Sequence, residues 1–172
     1  MNDKEIADKA GLETSAVSAA FPDKADILSA LLGRVDTRMA TECDGYLLQE
    51  KPRDRLFEVF MIRFDILNRH RDAWRHLFFE TFKNPGLFRK ALPSFHNSMD
   101  IVLGLCDLNG RNGGGALPLR TTALSLAYMN AVRVWLNDDT PDMAPTMAEL
   151  DRGLNKLEQV LDNMPSIFKA FV

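Results

Sequence analysis

Apolar residues recur along this chain at steps of three and four, and no stretch of four to eight residues alternates as a half-buried strand does. The spacing predicts an all-α fold of about eight or nine helices, with prolines and glycines falling between the periodic segments. "KEIADKAGLETSAVSAAFPDKADIL" reads as a helix, a turn at Gly11, a second helix and the start of a third. From about Asp23 that third helix carries Ile27, Leu28, Leu31, Leu32, Val35 and Met39 on one face and ends before Lys51-Pro52. A helix from Arg53 places Leu56, Phe57, Phe60, Phe64 and Leu67 on its stripe. The next groups Trp74, Leu77, Phe78 and Phe82 and ends at Asn84-Pro85-Gly86. All three are amphipathic, so each needs a packing partner.

After Pro93, a helix over 94–108 sets Phe95, Met99, Val102, Leu103 and Cys106 near one side, and "NGRNGGGALP" (109–118) reads as a connecting loop. The helix over about 119–137 is apolar nearly all round and is expected at the centre, or packed on two sides. "DDTPDMAP" (138–145) reads as a turn, and Thr146 with Glu149 fits a capping box. In the last helix Met147, Leu150, Leu154, Leu157, Leu161 and Met164 form a narrow seam, suited to another helix of the same chain or of a second copy. The tail "PSIFKAFV" is short and apolar and either docks on the core or touches a membrane surface.

Composition narrows the class. The 172 residues are 46% hydrophobic and 26% charged, an ordinary globular balance. The run 121–132 is uncharged but too short to span a bilayer, and the polar start is not a signal peptide, so a cytoplasmic protein is expected. Cys43 and Cys106 are far apart, lack CxxC spacing and read as buried free thiols. A net charge of −3 gives no general attraction for polyphosphate, so only a local basic patch would hold nucleic acid.

No catalytic constellation emerges. His70 and His76 are six residues apart, on different helical faces, and His96 stands alone; none has a metal-binding spacing. Arg69, Arg71 and Arg75 around the first two point to a solvated helix end. Asp138, Asp139 and Asp142 beside Thr140-Pro141 fit turn formation and helix capping better than a metal site. The glycines of 109–118 lack GxGxxG or a Gly-Lys-Ser/Thr ending, so a phosphate cradle is not expected. No enzyme activity, metal or cofactor is assigned. The aromatic residues are more informative: most must pack the core, yet such a bundle can also enclose an apolar ligand. Phe60, Phe64, Trp74, Phe78, Met99, Leu103, Tyr128 and Trp135 are the residues expected to line such a pocket.

Ile6-Ala7, Ala10-Gly11, Val17, Phe21, Asp23-Lys24 and Ile27-Leu28 resemble, without a gap, the N-terminal helix-turn-helix of the tetracycline-repressor (TetR) family of transcriptional regulators. In that reading Gly11 makes the turn, Leu12, Val17 and Phe21 bury the module's small core, and Lys24 at a helix N-terminus reaches a phosphate. The resemblance implies an incomplete module over 1–34, with the family's first helix unmatched before Ile6, and a ligand-binding and dimerisation bundle over 35–172. Thr14, Ser15, Ser18 and Lys24 are the implied DNA contacts. Where family members usually carry a tyrosine and other polar or aromatic groups, this chain has Ser18-Ala19-Ala20, and Glu13 is the only charge over 12–22. Residues 1–34 hold four basic side chains against six acidic ones, so weak or absent binding of duplex DNA is expected.

"YMNAVRVWLNDDTPDMAPTMAELDR" (128–152) is similar to the C-terminal segment of the TetR-fold lipid-binding protein of coenzyme Q biosynthesis, at Tyr128, Asp138, Pro141, Asp142, Thr146 and Leu150. With "RDRLFEVFMIRFDILNRHRD" (53–72) it also looks like bacterial proteins classed as TetR-type regulators. These resemblances imply a small apolar or lipid-like ligand and a homodimer formed through the last two long helices, by Leu150, Leu154, Leu157 and Leu161. Two functions are therefore expected to compete, a ligand-responsive transcriptional regulator and a lipid- or quinone-binding accessory protein that has lost DNA recognition, beside a plain scaffold or interaction protein that needs neither cavity nor basic residues.

Overall fold

The computed structural model describes residues 3–43, 49–108 and 117–163, and the described residues form eight α-helices and no strand. The helices are α1 (Asp3–Ala10), α2 (Thr14–Ala20), α3 (Lys24–Glu42), α4 (Pro52–Asn68), α5 (Arg71–Lys83), α6 (Pro85–Leu105), α7 (Leu117–Trp135) and α8 (Ala144–Asn163). The C-terminal tail and most of the glycine loop lie outside the described residues.

Local chemistry sets the boundaries. Gly11, at φ +65°, takes the left-handed conformation that ends α1, and Leu12 N–H donates back to the Ala7 carbonyl at 3.0 Å, a six-to-one closure of the last turn. Asp23 caps α3: its Oδ1 accepts from Ala25 N–H at 3.0 Å, while Asp26 Oδ2 accepts from Asp23 N–H at 2.9 Å. α3 stops at Glu42, earlier than the periodicity implied, because Cys43 turns extended. Its helical path is continuous through residue 34, where the sequence placed a domain boundary.

α6 departs most from expectation. Asn84-Pro85-Gly86 ends α5 as its composition implies, and it also starts the next helix: Asn84 Oδ1 accepts from Gly86 and Leu87 N–H groups, both at 3.1 Å, and Pro85 occupies the first turn, where its missing N–H costs nothing. Pro93 lies inside this helix on an exposed position, so the Arg89 carbonyl it leaves unpaired faces the solvent side. Likewise Leu117-Pro118 opens α7 rather than closing the loop.

α3 packs on α6 and α4, α7 on α8 and α6, α4 reaches α8, and α5 covers α6. The core at their centre includes Phe60, Phe64, Met99, Tyr128, Val132, Trp135 and Leu150, all at 1% exposure or less. Each such large side chain contributes roughly 1.5–3 kcal/mol by leaving water. Leu150 and Leu154 belong to this core of the single chain, so the seam packs within the chain at these two positions, which corrects their assignment as dimer contacts: α7 and α4 already cover that stripe. Gly153 lets α7 come close, since a Cβ there would stand 3.3 Å from that of Ala127. Leu157 is half-buried, and the Leu161 side chain lies outside the described residues.

The far end of the bundle is joined by polar contacts. Asp138 Oδ1 accepts from Thr140 N–H (3.1 Å) and its hydroxyl (2.6 Å), and Oδ2 from Thr146 N–H (3.1 Å) and its hydroxyl (2.5 Å). Burial raises the Asp138 carboxyl, but these four donors outweigh it and hold it at about 2. Thr146 is thus a buried donor within α8 and not its cap. Arg71 donates to the Trp135 carbonyl at 2.6 Å and to that of Asp138, and Trp135 Nε1 donates to Asn68 Oδ1 at 2.8 Å.

Candidate ligand groove and helix-turn-helix-like unit

An apolar cavity of about 230 Å³ opens between α3, α5, α6 and α7. α3 contributes Leu28 and Leu32, and α5 contributes Phe78, Thr81 and Phe82. α6 contributes Phe88, Ala91, Leu92, Phe95 and His96, and α7 contributes Thr122, Ser125, Leu126 and Met129. The wall formed by Phe88, Ala91 and Leu92 exists because α6 begins at Pro85; with the helix starting after Pro93 there would be no such wall.

No Lys, Arg, Asp or Glu is among these described lining residues. The Thr81 hydroxyl donates to the Leu77 carbonyl at 2.8 Å and the Ser125 hydroxyl to that of Thr121 at 2.6 Å, so both donors are used within their own helices. Four phenyl rings dominate one side: Phe78 stacks on Phe82 at 6.2 Å between centroids, and Phe82 meets Phe88 at 6.1 Å. At the mouth Leu126 is 64% exposed and Phe82 43%. Such a mouth favours entry of hydrophobic molecules and gives ions no counter-charge.

Of the eight residues expected to line a pocket, Phe78 does so. Trp74 stands behind it, 5.8 Å from ring to ring. Phe60, Phe64, Met99, Leu103, Tyr128 and Trp135 instead fill the core. Phe60 stacks on Tyr128 at 4.8 Å, and Phe64 contacts Tyr128 at 5.4 Å and Trp135 at 5.9 Å, spacings that leave no room for a ligand between the rings. Phe95 joins the two regions, lining the groove and stacking on Tyr128 at 6.0 Å.

Behind that stack lies a buried polar group of four helices that sequence reading missed. Arg63 (α4) pairs with Asp36 (α3) and donates through Nη2 to Ser98 Oγ (α6) at 2.7 Å and through Nε to the Tyr128 hydroxyl (α7) at 3.1 Å. Ser98 Oγ donates in turn to Asp36 at 2.5 Å. Burial opposes the Arg63 charge, but the Tyr128 oxygen and Asp36 outweigh it and raise its pKa. For Tyr128, burial dominates over Arg63 and raises the phenol. The signal was present: Arg63 falls three residues after Phe60 and four before Leu67, on the buried stripe.

The N-terminal end of α3 is also tied to the groove. Ser29 Oγ lies 2.6 Å from Ser94 Oγ of α6, and Lys90 of α6 pairs with Asp23. Ala25 N–H and Lys90 hold the Asp23 carboxyl below its ordinary value. Beyond it, α1 and α2 pack chiefly on each other, with Val17 buried and Phe21 half-buried. Thr14, Ser15, Ser18 and Lys24 are all exposed. Leu12 is 58% exposed, contrary to its expected burial, because it leads off the end of α1 at the Gly11 turn and α2 covers only the Val17 side.

His70 precedes α5 and is exposed, as is His76. Among the described residues no three His, Cys, Asp or Glu side chains gather as a metal site would require, and no helix is long and apolar enough to cross a membrane. Cys43 is half-buried and Cys106 buried, and burial pushes the Cys106 thiol up to about 12. No protein-family model matches the chain, and no curated protein matches it.

Proposed function

We propose that the protein is a ligand-responsive regulator of the TetR type, in which a small apolar effector enters the groove between α3, α5, α6 and α7 and biases the position of α3. The observation that carries this reading is that α3 supplies Leu28 and Leu32 to the groove, four and eight residues after Lys24, the first residue of the helix that follows α2. A ligand bound better by one placement of α3 shifts the population of that placement, and with it the pose of α1 and α2. In this reading Thr14, Ser15, Ser18 and Lys24 form the surface presented to duplex DNA, and two copies act together as a homodimer. Native mass spectrometry of the purified protein, followed by organic extraction, tests it. A dimer carrying a co-purified apolar compound is expected, and a monomer with no retained compound after incubation with an apolar extract of the host would contradict it.

One observation favours a second reading. α2 contains no Lys or Arg, and residues 1–34 are net acidic, so little phosphate charge is neutralised. On this reading the same groove serves a lipid- or quinone-binding accessory protein without DNA recognition. Fluorescence anisotropy with duplex DNA separates the two: submicromolar, salt-dependent binding supports the regulator, and none at low salt supports the binding protein.

A further inference from the structure

A buried ion pair is a costly way to join two helices. Packed apolar side chains of similar size often hold as well or better, yet Arg63 and Asp36 have left water almost completely. What such a pair adds is geometry, because a buried guanidinium that shifts loses partners it cannot replace. Arg63 has three: Asp36 of α3, Ser98 Oγ of α6 at 2.7 Å and the Tyr128 hydroxyl of α7 at 3.1 Å. At this level of the bundle α3, α4, α6 and α7 are therefore held in one arrangement.

One ring ties that polar group to the groove. Phe95 lines the groove and also stacks on Tyr128, with 6.0 Å between centroids and 25° between planes. On α3 the groove residues Leu28 and Leu32 are followed one turn later by Asp36, on the same buried face. α4 supplies none of the described lining residues, so a response of α4 to an occupant has to pass through its neighbours. A molecule seated in the groove takes up space into which Phe95 would otherwise move, and a close-packed interior passes that restriction on. Tyr128 then keeps its hydroxyl on Arg63, and Arg63 keeps Asp36.

We propose that Phe95, Tyr128 and Arg63 form the link by which an occupant of the groove stiffens α4 and fixes α3 at Asp36, in addition to its direct contact with Leu28 and Leu32. The link rests on the reading that the groove binds an apolar molecule. By reciprocity, local opening of α4 about Arg63 weakens the ligand, so the bound ligand slows that opening. Amide hydrogen exchange of the full chain, free and saturated with naphthalene, tests this, with binding itself followed by equilibrium dialysis. Amides of α4 around Arg63 are expected to exchange about fivefold or more slowly with naphthalene bound. Locally opening amides of α8, which supplies no residue to the described groove wall or to the polar group, are expected to keep their rate. Tyr128→Phe keeps the ring and removes the hydroxyl, and Arg63→Met combined with Asp36→Leu replaces the ion pair by an apolar contact. Both variants are expected still to bind naphthalene and to lose the slowing in α4. Slowing that persists in either variant, or none in a parent that binds naphthalene, overturns the link and leaves the groove a binding site. A parent that binds no naphthalene overturns the groove reading, and the link with it.

Discussion

Arg63 and Asp36 form an ion pair with side chains only 1% and 5% exposed, joining α4 to α3 in the middle of the bundle. Removing one charge strands the other away from water, whereas removing both leaves an apolar contact. Arg63→Met or Asp36→Leu alone is therefore expected to lower unfolding stability by about 3–5 kcal/mol, and the double variant to cost much less than the sum of the two. Urea unfolding of the three proteins measures this, and additive losses would show that the pair acts independently. Tyr128→Phe, which removes one acceptor from Arg63, is expected to cost about 1–2 kcal/mol.

Asp138 gives the fold a defined acid limit. Its carboxyl titrates near 2 in the folded chain against an ordinary value of 3.8, so the unfolded chain takes up the proton first as pH falls. The stabilisation is complete above about pH 4 and is lost as pH falls through about 2. Asp138→Asn is expected to be less stable than the parent by about 1–3 kcal/mol at pH 7, with the gap closing toward pH 2. Thermal melts of both proteins across pH 2–7 check it; a gap independent of pH would contradict the role of the charge.

The exposed proline of α6 sits where an alanine would do better. Pro93→Ala restores the missing N–H to the Arg89 carbonyl and removes the ring clash, against a small entropic gain by the unfolded chain. A rise in stability of about 1–2 kcal/mol is expected in denaturant unfolding. A fall would mean that the proline supports the groove wall within which it lies, between Leu92 and Phe95.

The thiols differ in reactivity. Cys43 is half-buried, while Cys106 is buried with its thiol pushed up to about 12. A disulfide reagent at pH 8 is expected to modify Cys43 in the native chain and Cys106 only in denaturant. Simultaneous modification would show that the α6 end opens readily.

Much of the helical framework was legible in one dimension because burial on one face imposes its period directly, as in Leu28, Leu32, Val35 and Met39 of α3. The first half of α6 was not, since Pro85-Gly86 has the composition of a turn and only the Asn84 side chain turns it into a cap. The candidate site was less legible still. Spacing marks Phe60, Phe64, Tyr128 and Trp135 as inward-facing, but it cannot tell an interdigitated core from a cavity, which depends on how helices cross. Phe82 shares the apolar stripe of Trp74 and Phe78, and Leu126 lies in an apolar run, yet both border the groove exposed, which spacing alone does not distinguish from burial. Arg63 and Asp36 lay on apolar stripes of neighbouring helices, and two opposite charges so placed are the pattern that would have disclosed the pair.

On the proposed function, the space between α3, α5, α6 and α7 holds an apolar ligand. Naphthalene binding measured by equilibrium dialysis for the parent and for Met129→Trp tests it most directly, because Met129 is half-buried on the groove wall and a larger ring there fills the space. Saturable binding near one molecule per chain is expected, weakened about tenfold or more in Met129→Trp at unchanged helical content and melting temperature. Equal binding by both proteins, or none by the parent, would contradict it.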